Sequence, residues 1–80
     1  MKYKLFAEIV LLNDFPEKRL KKGDIATIID YHPVATGKDG YTLEAFNALG
    51  DTISIVTVSE SDIEPLQKNE ILSVRKLSAA

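Results

Sequence analysis

Between Gly23 and Ser59 the chain is cut by turn signals into runs of strand length, and this spacing limits the fold more than any other feature of the sequence. Ile25 to Tyr31 is rich in β-branched residues, with Ile25, Thr27, Ile29 and Tyr31 on one side and Ala26 and Ile28 on the other. Pro33 closes that run. The tip Gly37, Lys38, Asp39, Gly40 then turns the chain into Tyr41 to Phe46, where Tyr41, Leu43 and Ala45 alternate against Thr42, Glu44 and Phe46. A second turn, Asn47 to Asp51, leads into the β-branched run Thr52 to Val58. Three strands joined by short turns form a meander.

The flanks extend this pattern. Phe6 to Leu12 is a nearly continuous apolar run and reads as a strand buried on both faces. Asn13, Asp14 and Pro16 end it, and Asp14 to Gly23 forms a polar connection with Phe15 and Leu20 as its anchors into the core. Gly23 stands where the chain bends into the next strand, a place that favours a positive φ. In SESDIEPL, Ser59 followed by Asp62 and Pro65 predicts a short helical turn with Ile63 and Leu66 pointing inward. Residues 70–77, EILSVRKL, read as the last strand, carrying Leu72 and Val74, in preference to one or two amphipathic helical turns. The expected fold is all-β: a small SH3-like, partly open barrel of about five strands with a short helical turn before the last one.

Eighty residues make a single domain, 1–80, because a chain of this size buries only about 60% of the surface it exposes when unfolded. A composition 45% hydrophobic and 28% charged is that of an ordinary globular protein. Without cysteine there is no disulfide framework, thiolate metal site or cysteine nucleophile, and a small core of this kind fits a cytoplasmic location. The segment MKYKLFAEIVLLNDF is interrupted by Glu8 and is far shorter than a membrane span, so it reads as a strand and not as a signal or anchor.

No constellation of catalytic groups emerges. His32 is the single histidine, and beside a proline in a loop it reads as a surface residue; one chain cannot build a histidine-rich metal site from it. A Ser-His-Asp set can be written from almost any sequence with one histidine and discriminates nothing. Glu60, Asp62 and Glu64 lack the glycine and the twelve-residue ligand pattern of a calcium loop, and carboxylates in a first helical turn meet the helix dipole favourably. GKDG lacks the spacing of a phosphate loop and precedes no helix. Neither a cofactor nor a metal is expected. Lys18, Arg19, Lys21 and Lys22 place four positive charges within five residues. They suit phosphate contacts. A solvated loop that protects a strand edge explains them better, because aromatics for base stacking are scarce: only Phe15, Tyr31 and Tyr41 are close in sequence or pattern, and at least two of them read as core.

The order LFAEIVLLNDFPEKRLKKGDIATII, then YTLEAFNALGDTISIVTVSESDI, then EILSVRKL resembles a small bacterial family catalogued as domain of unknown function 4926. The resemblance covers nearly the whole chain. Ala26 departs from it, standing where a GxxGTI pattern has glycine, at a position that packs closely on a neighbouring strand. The family implies an SH3-like fold and no established activity. The leading expectation is a non-enzymatic module that recognises another protein, as an immunity or antitoxin-like accessory would, using the separated basic (Lys18, Arg19, Lys21, Lys22) and acidic (Glu60, Asp62, Glu64) segments. The formal net charge of -2 disfavours the alternative, an RNA- or ribosome-associated barrel binding through the basic loop. The chain is expected as a monomer, or as a homodimer if the first and last strands remain edges.

Overall fold

The computed structural model describes residues 2–77. Five strands form one antiparallel sheet: β1 (Glu8–Leu11), β2 (Ile25–His32), β3 (Gly40–Phe46), β4 (Thr52–Ser59) and β5 (Ile63–Pro65). Their order is β4-β3-β2-β1-β5. The sheet does not close, and a 3-10 turn at Glu60–Asp62 leads directly into β5. This is the expected all-β, partly open SH3-like arrangement. Among the described residues no helix is long and apolar enough to cross a membrane.

Alternation explains which side chains meet. Ile9, Leu11, Ala26, Ile28, Tyr41, Leu43, Ala45, Val56, Val58 and Ile63 come from all five strands and share one buried cluster with Leu20. Ala26 is paired with Ile9 and is 2% exposed, consistent with a position that tolerates only a small side chain. One expected alternation fails. Ile29 is an extra residue in the β2–β3 ladder, where Ile28 opposes Leu43 and Asp30 already opposes Thr42. This bulge reverses the facing of the rest of β2, so Tyr31 leaves the side of Ile25 and Thr27 and packs on the core. There it lies 5.3 Å from the Tyr41 ring, while Tyr3 meets Tyr41 edge-on at 5.5 Å.

The connection from β1 to β2 is a fastened hairpin. Phe15 and Leu20 pair across it, and a 3-10 turn at Pro16–Lys18 forms its tip. Leu20 is buried and Phe15 packs against the core, so both anchor the loop as expected. Gly23 donates its N–H to Leu11 at 2.8 Å with φ at 95°. A Cβ built there meets nothing within 4 Å, so the cost of a side chain is backbone strain alone. Gly23→Ala is expected to lower stability by about 1–2 kcal/mol, read as an earlier urea midpoint with an unchanged slope.

Two sequence expectations are corrected. Phe6, placed in a fully buried first strand, lies outside β1 with φ at 67° and is 73% exposed; Val10 and Leu12 are half-buried. Residues 70–77 form no strand, and Leu72 and Val74 are 67% and 91% exposed. The reason is topological. β1 already has β2 on one side, and Ile63–Pro65 takes the other as β5. The chain then turns at Gln67, whose N–H is accepted by the Glu70 carboxylate at 2.5 Å, and no flank of β1 remains for the following segment. The free edges are β4 and β5, not β1.

Candidate functional site

Lys18, Arg19, Lys21 and Lys22 project from the rigid β1–β2 hairpin and all are exposed. Their main chain is tied down: Asp24 accepts the Lys21 N–H and Asp14 accepts the Lys22 N–H, both at 2.8 Å. Arg19 caps the 3-10 turn in the left-handed region, with φ at 61°. The hairpin therefore fixes the main chain that carries the four cations, with two carboxylates among them. Tyr41 is buried, and Phe15 and Tyr31 pack on the core, so none of these rings offers an open stacking face beside the cations.

The acidic segment separates into different roles. Asp62 accepts the Ser59 N–H at 2.9 Å and the Asn13 side-chain amide at 2.7 Å, and Ser59 accepts the Ser61 N–H. This reciprocal cap holds the turn before β5 and ties it to the start of the β1–β2 loop. Asp62 is thus engaged in the fold, while Glu60 and Glu64 are half-buried, Glu64 within β5 opposite Val10. Among the described residues no group of three or more metal-ligating side chains lies together. His32 is exposed and its Nε2 is 2.6 Å from the Thr42 hydroxyl. Tyr31 donates to Asp39 at 2.6 Å; that bond, with desolvation and the negative charge beside it, pushes the phenol up to about 12. The same bond and the Val34 N–H hold the Asp39 carboxyl below its usual range. At neutral pH the phenol therefore keeps its proton and Asp39 is ionised.

An open concavity lies elsewhere, between the sheet and residues 66–77. This cleft has a volume of about 620 Å³ and takes Val10, Ile25, Phe46 and Ile53 from the sheet, with Leu72 and Val74 opposite. Val10 and Ile25 oppose each other on the face away from the core, leaving an apolar stripe. Phe46 at 41%, Leu72 at 67% and Val74 at 91% exposure leave much of its rim open to solvent. The segment that spans it is fastened by Arg75. The guanidinium donates through Nε to one Asp24 oxygen at 2.7 Å and through Nη2 to the other at 2.5 Å, and Nη2 also reaches the Arg19 carbonyl at 3.1 Å.

Burial alone would raise the Asp24 carboxyl, but the Arg75 hydrogen bonds, the Lys21 N–H and the two nearby positive charges outweigh it and leave the group below its usual range. Asp24 thus binds its proton less readily folded than unfolded. The stabilisation this gives is complete above the unfolded value of 3.8 and is lost as pH falls through the lower folded value. Binding of a dye specific for apolar surface is therefore expected to rise on acidification below about pH 4. Arg75→Gln should remove that step.

Sequence reasoning put Lys18, Arg19, Lys21 and Lys22 in the polar connection after the first strand, which the structure builds as an exposed hairpin, and missed the Asp24–Arg75 pair. The partners are 51 residues apart, and neither sits in a spacing that marks the other. No curated protein and no solved structure matches the chain. The family described as Domain of unknown function (DUF4926) matches residues 5–65, which run from just before β1 to the last residue of β5. A match over most of the chain, together with the five-stranded fold that the resemblance implied, establishes that this protein belongs to the DUF4926 family.

Proposed function

We propose that this protein is a non-enzymatic module that binds another protein through the cleft between the sheet and residues 66–77. The observation that carries the reading is the concentration of exposed apolar side chains there. Phe46, Ile71, Leu72 and Val74 all lie along one concavity, whereas solvated surfaces ordinarily scatter such residues singly. Outside the cleft lining, exposed cations at Lys18, Arg19, Lys21 and Lys22 and half-buried carboxylates at Glu60 and Glu64 give the surface a charge pattern that can orient a partner. The lack of cysteine among these 80 residues suits the cytoplasm.

The alternative is RNA binding through the basic hairpin. It is favoured only by the four clustered cations, and it has no exposed aromatic partner beside them. Reversing Lys21 and Lys22 to glutamate separates the two readings. For a protein-binding cleft, capture of the partner should change by less than about threefold, because rim charges act mainly on association rates. For RNA, recovery should collapse, with a steep dependence on salt.

A further inference from the structure

We propose that the cleft is a peptide-binding groove which the chain's own segment 66–77 occupies in cis, and that its partner inserts an extended segment carrying an arginine among apolar residues. The inference rests on the protein-binding function proposed for the cleft and specifies what that site recognises.

The occupant is identified by the segment already seated there. Residues 66–77 cover the groove without joining the sheet: among the described residues their one bond between main-chain groups runs from the Glu70 N–H to the Gln67 carbonyl, within the segment itself. They also leave the cleft largely unfilled, at about 620 Å³. What holds them is one side chain in a site built for it. Three acceptors, both Asp24 oxygens and the Arg19 carbonyl, converge on the Arg75 guanidinium. The Asp24 side chain is only 18% exposed and is fixed from its other side by the Lys21 N–H. Planar, forked recognition of this kind suits arginine and not lysine. Glu8 adds a second carboxylate to the lining. The family match ends at Pro65, so Asp24, Glu8 and the apolar stripe lie inside the family domain while the covering segment lies outside it. A segment held by one arginine, with Ile71 and Val74 93% and 91% exposed and no ladder bonds, is readily exchanged for another that carries an arginine and buries its apolar side chains better.

The test uses a fluorescent peptide of sequence LQKNEILSVRKL, residues 66–77, titrated by anisotropy against the full chain. Arg75→Glu in the protein breaks the latch by charge reversal, and Arg75→Gln does so without adding charge. Both are at an exposed position outside the core, so the fold should persist. The peptide is expected to bind both variants at least about tenfold more tightly than the wild type, whose groove is occupied. Binding should be lost when the peptide's own arginine is replaced by glutamate, or when Asp24→Asn is added to the Arg75→Gln chain. Equal binding to wild type and variants, or binding to none of them, overturns the proposal. So does a wild-type dimer in light scattering that Arg75→Glu converts to monomer, since the groove's occupant would then be a second copy. Failure of the peptide while partner capture still depends on Phe46 removes the groove's self-occupation and leaves the protein-binding reading standing.

Discussion

Tyr41→Ala is expected to lower the stability of this protein by about 3–5 kcal/mol, the range for removing a buried aromatic side chain. A domain of this length has about 4–12 kcal/mol in total, so the variant should be largely unfolded at modest urea concentrations. The size of the effect follows from position. Tyr41 is 0% exposed, lies in the middle of the core and packs against both Tyr3 and Tyr31. Its hydroxyl also accepts the main-chain N–H groups of Lys2 at 3.1 Å and Tyr3 at 3.0 Å, drawing the segment before β1 onto the core. Tyr41→Phe keeps the ring and should cost only about 1 kcal/mol. Equal losses for the two variants, measured by urea denaturation, would show that packing of the Tyr41 ring contributes little.

Leu20→Ala should cost about 2–5 kcal/mol, and its cost has a local signature. Leu20 is 2% exposed and pairs with Phe15 across the β1–β2 hairpin, where its N–H and carbonyl both bond to Phe15. Truncation removes the anchor that holds Lys18, Arg19, Lys21 and Lys22 in place and also loosens the carbonyl of Arg19 that accepts from Arg75. Amide exchange in residues 15–22 should therefore accelerate more than exchange in β3. A uniform acceleration across all strands would indicate that the hairpin does not open independently of the sheet.

The meander was legible because side-chain period and turn chemistry are local properties: Tyr41, Leu43 and Ala45 alternate inward, and Gly23 and Asn47 mark bends whose geometry their own residues determine. The hairpin anchors Phe15 and Leu20 were legible for a related reason, as isolated apolar residues in a polar stretch. The bulges were not. Ile29 and Ile53 are ordinary strand residues whose extra position shows only against the partner strand, and the first of them decides the face of Tyr31. The last strand failed for a non-local reason. Ile71 and Val74 have the composition of a strand, but Ile63–Pro65 follows its helical turn directly onto β1 and occupies the flank they would need. The cleft was illegible with it, since a groove formed by a segment crossing the sheet depends on where that segment is not paired. The candidate charges at 18–22 and 60–64 were identified from composition, yet Asp62 proves to be a cap, and the carboxylate that organises the cleft, Asp24, carries no marker beyond its place after Gly23.

The most direct test of the protein-binding account is capture from lysate of the protein's own organism, with and without nuclease, by the tagged wild type and by Phe46→Glu and Val74→Glu, followed by mass spectrometry. Both residues are exposed on the cleft's rim, so the variants should fold normally. The account predicts one enriched protein that survives nuclease and is lost with Phe46→Glu, on the sheet side of the cleft, but is kept with Val74→Glu, on the segment that the partner displaces. Recovery of RNA or ribosomal proteins that disappears with nuclease and is indifferent to Phe46 would contradict it.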